Sequence, residues 1–414
     1  ERALATRIAA GSIKRHFTLS NLYSAISRKK HLPDAAIEIF RQAAYQLLFM
    51  KVEPAAAIDA AGELAKRDGH GVARVLNGLL RKVVEIYPER LPGSPPFDDL
   101  RRSVFLATDE GGPGYLYFPR RLVRSDPKGD LEHSSSLPAF FAWRYWKTLG
   151  EERFWALVDW ANSTPPLTLR INSLKTAGTP PDGVMPQSAA PLSAPGLPPG
   201  VFILSDTSVA DVPGLWDGRL VVQDAANMLP VEAAGIESGM SVLDLCAAPG
   251  GKTVRIAEIL RGSGRLVCVE LVPERAETLR ANLERAAVTG AEIVTADARS
   301  LPSEYHAAFD RVILDTPCSN TGQLARRPEV RLRVSEQSIS RLAVLQKELL
   351  ASALSALRRG GRLVYSTCSL EPEENTEIVR SMDNVDVCSE RFTLPELHEH
   401  DGGYFAVLRR KGDT

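Results

Sequence analysis

The sequence predicts two parts: an α-helical N-terminal region, and an α/β region built on a doubly wound parallel sheet. Apolar residues in the first 90 positions recur at helical spacing, with no strand-like alternation between them. From position 241 onward, short apolar runs alternate with amphipathic helical stretches, which is typical of a parallel sheet with crossover helices. Residues 241–253 read SVLDLCAAPGGKT, a short strand followed by a glycine turn and the start of a helix. In α/β proteins this arrangement holds a nucleotide-like ligand, because the glycines let the backbone approach it and the helix N-terminus offers free N–H groups.

The helical region covers residues 1 to about 90 and is expected to be a small bundle. Its periodicity is clearest in two apolar sets, which are Ile37, Phe40, Ala44, Leu47 and Leu48, and Val72, Val75, Leu76, Leu79, Leu80, Val83 and Val84. Residues 91–135 lose this periodicity and contain Pro- and Gly-rich breakers. We therefore interpret residues 91–136 as a connector that completes a first domain over residues 1–136.

A mixed segment precedes the central stretch and is expected to form an extension over residues 137–225. Residues 137–162 are helical and rich in aromatic side chains, which we expect to pack in a core rather than to stack on bases. Residues 167–172 and 220–224 are expected strands, and residues 176–200, which contain seven prolines, are an expected loop. A helix then leads to the α/β domain, which we place at residues 226–414.

The α/β region has predicted strands at residues 242–245, 266–269, 293–295, 312–314 and 363–365, with helices at about 273–287 and 335–357. Ligands of such sheets bind beyond the C-terminal ends of the strands. Glu270, Asp297, Asp315, Cys318 and Cys368 all fall at these ends. An acidic or thiol group after four successive strands indicates a ligand site at this edge of the sheet.

The glycine turn does not fit a phosphate-binding loop. A Walker A motif needs a glycine at position 246, which is Cys246, and no GxGxxG pattern is present. Three readings remain for the turn: a plain strand-to-helix connection, a divergent nucleotide site at Lys252, and an adenosine site without a phosphate chain. Glu270 suits a ribose diol and Asp297 an adenine amino group, although each alone is more often a helix-capping residue. Together these residues favour an adenosine ligand, and S-adenosylmethionine fits.

Two of the five cysteines, Cys318 and Cys368, lie in small-residue loops where a thiol can be exposed and its pKa lowered. Cys246, Cys268 and Cys388 are expected to be buried small hydrophobic residues. Two thiols beside a methyl donor suggest methylation of cytosine at carbon 5, because a thiolate that adds to carbon 6 makes carbon 5 nucleophilic. A general base must then remove the carbon-5 proton. Asp315 is placed to hydrogen-bond ring nitrogen 3.

The composition is that of an ordinary globular protein, and its charge is unevenly distributed. Residues 1–90 hold 15 Lys and Arg against 9 Asp and Glu, whereas residues 171–414 hold 25 against 32. A basic head suits a polyanionic partner, but an excess of this size is also common on protein surfaces. The odd number of cysteines, without a CxxC pair, argues against a disulfide framework and a zinc site and favours a cytoplasmic location. No apolar run approaches the length of a membrane span.

The motifs CAAPGGKT, DTPCS, and STCS followed by EPEEN resemble those of the RNA cytosine-C5 methyltransferases, and most closely those of the bacterial RsmB (Sun/Fmu) branch. Residues 44–49 and 76–81 (AYQLLF and LNGLLR) resemble the NusB-like helical domain with which that branch begins. The resemblance implies a Rossmann-like S-adenosylmethionine methyltransferase fold with an N-terminal all-α NusB-like, RNA-binding domain. It also implies methylation of carbon 5 of a cytidine in 16S ribosomal RNA through a covalent adduct.

The resemblance also assigns roles to residues. Cys368 would be the nucleophile, Cys318 would assist release of the product, and Asp315 would act in catalysis. The residues that would bind S-adenosyl-L-methionine are Cys246, Ala247, Ala248, Pro249, Gly250, Gly251, Lys252, Glu270, Arg275, Asp297 and Asp315. The expected partner is 16S ribosomal RNA, free or within an assembling small subunit, and we expect a monomer without a metal or a membrane contact.

Two alternatives stay open from the sequence. The sheet motifs alone do not separate a ribosomal from a transfer RNA substrate, and a non-catalytic RNA-binding assembly factor would use the sheet only as a scaffold. Two groups of basic residues are candidates for phosphate contacts, and each group could instead lie on a solvated surface. They are Arg28, Lys29, Lys30, Arg81 and Lys82 in the helical region, and Arg326, Arg327, Arg331 and Arg333 after Cys318.

Overall fold

The computed structural model describes residues 1–27, 32–50, 52–112, 114–123, 126–176, 188–204, 209, 212–395 and 400–411 of the chain. The basic residues Arg28, Lys29 and Lys30 lie outside these ranges. The chain divides into two compact units, one formed by residues 1–164 and 324–335 and the other by residues 165–323 and 336–414. In the part of the chain that is described, no helix is long and apolar enough to cross a membrane.

The helices are α1 Arg2–Lys14, α2 His16–Ser27, α3 Asp34–Phe49, α4 Pro54–Ala65, α5 His70–Glu85, α6 Pro127–Ser135, α7 Ala139–Leu149, α8 Glu151–Asn162, α9 Pro213–Trp216, α10 Ala225–Ala233, α11 Gly251–Leu260, α12 Pro273–Arg285, α13 Val330–Arg333, α14 Glu336–Ala356 and α15 Thr376–Arg380. The strands are β1 Glu89–Pro92, β2 Ser103–Leu106, β3 Gly114–Tyr117, β4 Leu167–Ile171, β5 Ala190–Pro191, β6 Val201–Leu204, β7 Leu220–Val222, β8 Ser241–Leu245, β9 Arg265–Glu270, β10 Ala291–Thr295, β11 Phe309–Asp315, β12 Leu357–Thr367, β13 Val385–Thr393 and β14 Gly403–Arg410.

The first unit is the predicted helical bundle with a small sheet packed into it. Helices α2 to α5 bury a common apolar core that includes Leu22, Phe40 and Leu80. Residues 91–135, which we interpreted as a connector, contain most of an antiparallel sheet in the order β1-β3-β2 and then helix α6. The reason is that apolar side chains of this stretch, such as Val104 and Leu116, are buried in the same core.

The boundary between the units also differs from the predicted domain boundary after residue 136. Helices α7 and α8, which we assigned to the extension of the α/β domain, lie in the first unit. Their aromatic residues do pack in a core as expected. The rings of Phe105 and Trp155 stack at 5.3 Å, so α8 is held on strand β2 of the same unit.

The second unit contains a mostly parallel sheet in the order β10-β9-β8-β11-β12-β14-β13. Strands β10, β9, β8, β11 and β12 are parallel, and β14 and β13 add antiparallel pairs at one edge. Both faces are covered, since alternate residues such as Leu243 and Val242 belong to different apolar cores. The predicted α/β fold class is confirmed, whereas β13 and β14 were not predicted.

A smaller antiparallel sheet in the order β5-β6-β4-β7 precedes the large sheet in the second unit. The buried guanidinium of Arg170 on β4 forms an ion pair with the buried carboxylate of Glu258 on α11 and also donates to Gln223. Because both charges are removed from water, either one alone would be costly to bury. This pair therefore fixes the smaller sheet to the first helix of the α/β domain.

Candidate active site

The ends of the parallel strands place the predicted site residues along one edge of the sheet. Backbone hydrogen bonds continue beyond the strands, from Ala247 to Val269, from Ala296 to Glu270 and from Thr316 to Ser366. The loops after β8, β9, β10, β11 and β12 are therefore in register with one another. Since the strands run in the same direction, their carboxyl ends meet at this edge, as the sequence predicted.

The glycine turn after β8 has an unusual backbone conformation. Cys246 has φ +59° and Gly250 has φ +109°, a region that side chains rarely adopt. A Cβ atom on Gly250 would lie 2.8 Å from the side chain of Leu279, so the position also lacks room for one. The carbonyls of the turn are held by α12, because Arg275 donates to Ala248 at 2.8 Å and Asn282 donates to Pro249 at 3.0 Å. Arg275, a predicted cofactor residue, thus shapes the turn.

Glu270 lies at the end of β9, buried to 2% exposure. One of its oxygens accepts the Ala248 N–H at 3.3 Å, and the other accepts the Val272 N–H at 3.2 Å. The guanidinium of Arg275 lies 3.5 Å from the carboxylate. The carboxylate is therefore fixed beside the glycine turn, and its remaining lone pairs can accept hydroxyl hydrogens.

Asp297 follows β10 and is partly exposed. It accepts the Arg299 backbone N–H at 2.9 Å and the Arg299 guanidinium at 2.7 Å. These bonds to Arg299 lower the pKa of the Asp297 carboxyl. The carboxylate is therefore ionised at neutral pH and keeps its acceptor capacity at the open edge of the sheet.

Asp315 at the end of β11 forms an ion pair with Lys252, whose Nζ lies 2.6 Å from Oδ2. The other carboxylate oxygen accepts Ser366 Oγ at 2.8 Å, and Lys252 also donates to Asn227 at 3.3 Å. The Asp315 side chain remains 36% exposed, whereas that of Lys252 is 9% exposed. The structure thus makes Lys252 a partner of Asp315, a contact that sequence spacing did not indicate.

Asp244 in the middle of β8 is a buried carboxyl that the sequence analysis did not single out. It accepts Thr253 Oγ1 of α11 at 2.6 Å, so it connects the strand to the helix on the two sides of the glycine turn. Burial raises its pKa to about 7, against the effect of the Thr253 hydrogen bond. The only signal in the sequence was a lone acidic residue inside an apolar strand.

Cys318 and Cys368 are brought together from neighbouring strand ends, and their sulfur atoms are 3.2 Å apart. The Cys368 thiol donates to Asn320 Oδ1 at 3.1 Å, while Asn320 Nδ2 donates to the Cys318 carbonyl at 2.8 Å. Asn320 itself has φ +61°. Since Cys368 donates to Asn320, the hydrogen between the two sulfurs comes from Cys318.

The expectation that both thiols have lowered pKa values is wrong for Cys318. The hydrogen bond to Cys368, burial, and the nearby Glu374 carboxylate raise the Cys318 pKa well above its usual value. Cys318 therefore keeps its proton at neutral pH and is a poor nucleophile. Its position suits a group that holds and returns a proton.

The other three cysteines have different surroundings. Cys268 is buried in the sheet, as expected, and burial beside Glu270 and Asp315 raises the pKa of Cys246 to about 12. Cys388 is exposed on β13, contrary to expectation. β13 is an edge strand of the sheet, and the residues on both sides of Cys388 are also exposed.

The four arginines after Cys318 were candidates for phosphate contacts or for a solvated surface, and for Arg331 both interpretations are wrong. Arg331 is 1% exposed and belongs to the first unit. Its guanidinium donates to the carbonyls of Lys14, Ser136 and Ala161, all within that unit. Arg327 and Arg333 are exposed and Arg326 is partly buried, so a phosphate contact stays a prediction for these residues.

In the described ranges, no group of three or more His, Cys, Asp or Glu side chains is arranged to hold a metal ion. The chemically distinctive features of this sheet edge are the paired thiols and the carboxylates at the strand ends. They surround a glycine turn that has no side chain at Gly250.

Comparisons with known proteins agree with this arrangement. Residues 234–403 match the family model of the 16S rRNA methyltransferases RsmB/F, and residues 1–85 match that of the NusB family. The probable ribosomal RNA small subunit methyltransferase B of Synechocystis sp. is 29% identical over 99% of this chain and 91% of its own length. The 28S rRNA (cytosine-C(5))-methyltransferase of Mus musculus is 38% identical over 53% of this chain and 28% of its own length. The structure of PH0851 has the same fold, with a TM-score of 0.76 at 21% identity over 99% of this chain and 90% of that one.

Proposed function

Because residues 234–403 match the family model of the 16S rRNA methyltransferases RsmB/F and residues 1–85 match that of the NusB family, we propose that this chain methylates carbon 5 of a cytidine in small-subunit ribosomal RNA. The methyl donor in this proposal is S-adenosyl-L-methionine. The observation that supports the proposal most directly is the distance of 3.2 Å between the sulfur atoms of Cys318 and Cys368. These cysteines follow the neighbouring strands β11 and β12, and β11 ends in Asp315. In the proposed reaction one thiol adds to carbon 6 of the cytosine, and the other assists release of the product.

The residues at the sheet edge fit the donor. The glycine turn leads into α11, whose N-terminus offers free backbone N–H groups to a ligand. Glu270 would accept from the ribose hydroxyls and Asp297 from the adenine amino group. The bound donor supplies an electrophilic methyl group on a sulfonium sulfur. Residues 246–252, Arg275 and Asp315 would complete the site.

Cys368 is the nucleophile in this proposal. Its thiol loses the proton to solvent and the sulfur adds to carbon 6 of the cytosine, and the electron pair displaced from the 5,6 double bond makes carbon 5 nucleophilic. Asp315, when protonated, would donate a hydrogen bond to ring nitrogen 3 during this addition, and Lys252 holds the Asp315 side chain in place. Carbon 5 then takes the methyl group from the sulfonium. Loss of the carbon-5 proton to a base restores the double bond and expels Cys368.

Cys318 acts as a proton donor in the second half of the proposed reaction. Its raised pKa keeps the thiol protonated, so it can return a proton to Cys368 as that sulfur leaves. The target base must leave any stack to reach the thiols, which favours a loop or an end of structured RNA.

Single cysteine substitutions test this division of roles. We expect Cys368→Ala to abolish turnover, and Cys318→Ala to accumulate an RNA–protein adduct that survives denaturing gel electrophoresis. Cys388→Ala is the matched control, because this exposed cysteine lies on edge strand β13. Normal turnover in Cys368→Ala, or an adduct in Cys368→Ala rather than in Cys318→Ala, would show that the assignment is wrong.

A further inference from the structure

We propose that Glu374 is the positioning residue that sets the distance between the two thiols, because one buried carboxylate holds both cysteine loops. Its effect on turnover rests on the proposed function, whereas its effect on thiol geometry does not. Glu374 lies in the turn between β12 and α15 and has 0% exposure.

The carboxylate of Glu374 accepts hydrogen bonds from the residues that directly follow the two cysteines. Oε1 accepts the backbone N–H of Ser319 at 2.9 Å, and Oε2 accepts the hydroxyl of the same residue. Oε2 also accepts Ser369 Oγ at 2.5 Å. One side chain thus connects the loop of Cys318 to the loop of Cys368.

Glu374 is itself fixed by groups outside the two loops. Gln346 of α14 donates to Oε1 at 3.0 Å, and the same amide nitrogen donates to the Pro317 carbonyl at 2.9 Å. Tyr365 donates its hydroxyl to the Glu374 carbonyl at 2.6 Å. Gln346 and Tyr365 therefore hold Glu374 from α14 and β12, and the carboxylate of Glu374 joins its own segment, which contains Cys368, to the loop of Cys318.

The hydrogen-bond donors around the side chain of residue 374 favour a carboxylate there. Four donors converge on its two oxygens, and hydrogen bonds to a charged acceptor are about twice as strong as those between neutral groups. Alanine would leave the buried donors without their acceptor and free the two loops to separate. Glutamine keeps the length of the side chain and lets the serine hydroxyls turn to accept from its amide, but it loses the charge.

The distance between the thiols can be measured without any assay of the reaction. Oxidation by diamide joins two neighbouring thiols as a disulfide, and the rate depends on how closely the sulfurs approach and on the fraction of thiolate. Because Glu374 also raises the Cys318 pKa, the rates are compared per thiolate, with the thiolate fraction of each variant measured from its pH-dependent alkylation. Peptide mass mapping after alkylation would identify the Cys318–Cys368 disulfide and give its rate of formation. We expect that rate to fall about tenfold or more in Glu374→Ala and about fivefold in Glu374→Gln, because neutral acceptors hold the loops more weakly. Glu377→Gln is the control, since Glu377 is exposed on α15 and should leave the rate unchanged.

Steady-state kinetics give the second measurement. Because a displacement of about 1 Å can cost about 100-fold in rate, we expect kcat of Glu374→Ala to fall by about that factor while KM for RNA and for the methyl donor stays within about twofold. Unchanged disulfide rates in both Glu374 variants would overturn the proposal, as would a loss of methyl-donor binding that parallels the loss of kcat. If Glu374→Ala does not fold, Glu374→Gln decides the question on the same two measurements. If the wild-type chain transfers no methyl group, the proposed function fails while the disulfide rates still test the role of Glu374.

Discussion

His133 is a buried titratable side chain on α6, remote in sequence from the catalytic motifs. Neither ring nitrogen has a hydrogen-bond partner among the described residues. Burial lowers its pKa from 6.5 to about 3, so the folded chain keeps this imidazole neutral where the unfolded chain protonates it. His133 therefore makes the free energy of unfolding fall with decreasing pH between about 6.5 and 3.

We expect His133→Leu to lose this pH dependence. The difference in free energy of unfolding between the variant and the wild type should grow by about 1.4 kcal/mol for each pH unit below 6.5, in favour of the variant. Denaturant titrations followed by tryptophan fluorescence at pH 7 and pH 5 measure it. The raised pKa of Asp244 acts in the opposite direction, but it is the same in both proteins and cancels in the difference. A constant difference between the two pH values would contradict the prediction.

At the level of single residues, the sequence predicted that the two cysteines lie close together. It did not predict which other side chains form hydrogen bonds with them. Cys318 and Cys368 could be placed together because parallel strands end at one edge. The raised pKa of Cys318 depends on the hydrogen atom between the sulfurs and on Glu374, which approaches from a later turn. Such contacts depend on side-chain directions in three dimensions, which residue spacing does not encode.

The guanidinium of Arg331 is surrounded by the C-terminal ends of helices. The guanidinium donates to Lys14 O at the end of α1, to Ala161 O near the end of α8 and to Ser136 O just after α6. These C-terminal carbonyls have no partners within their own helices and carry partial negative charge. One arginine therefore caps three helices of the first unit.

Removing this cation should destabilise the protein strongly. We expect Arg331→Met to lower the free energy of unfolding by about 3–5 kcal/mol, because buried carbonyls lose a charged donor. Arg333→Met should stay within about 0.5 kcal/mol, since that side chain is 64% exposed and pairs only with exposed Glu329 among the described residues. Denaturant midpoints of the two variants provide the comparison, and equal midpoints would rule out the capping role.

Elements with strong apolar runs were predictable, and elements at the edges were not. Strands β8, β9 and β11 are continuous apolar runs because both of their faces are buried. Edge strand β13 has mostly exposed residues and an irregular register, so its sequence lacks a clear strand pattern. The small sheet of β1 to β3 was missed because glycines and prolines surround short strands whose apolar residues join a helical core.

Charge is the property of the whole molecule that bears most directly on an RNA partner. Residues 1–90 have a net charge of +6 and residues 171–414 have −7. The groove between α4 and α5 is lined by Lys66, Arg74 and Arg81 together with the acidic residues Asp59 and Glu63. We expect RNA to bind this chain with a steep salt dependence, because phosphate contacts release counterions.

Arg81 provides the test of that expectation. Arg81→Ala should weaken binding of small-subunit ribosomal RNA and reduce the slope of log K against log salt by about 1. Arg67→Ala is the matched control, because Arg67 is an exposed arginine that does not line this groove. Filter binding across a salt series measures both slopes. The same slope for Arg81→Ala and the wild type would exclude Arg81 from the RNA contact.

The most direct test of the proposed function uses S-adenosyl-L-methionine labelled in its methyl group. Unmodified small-subunit ribosomal RNA would be supplied both free and as assembled subunits, with transfer RNA in a parallel reaction. After digestion, we expect the label in 5-methylcytidine from the ribosomal RNA, and none with Cys368→Ala. No labelled 5-methylcytidine from either form of ribosomal RNA, or label from transfer RNA alone, would contradict the proposal.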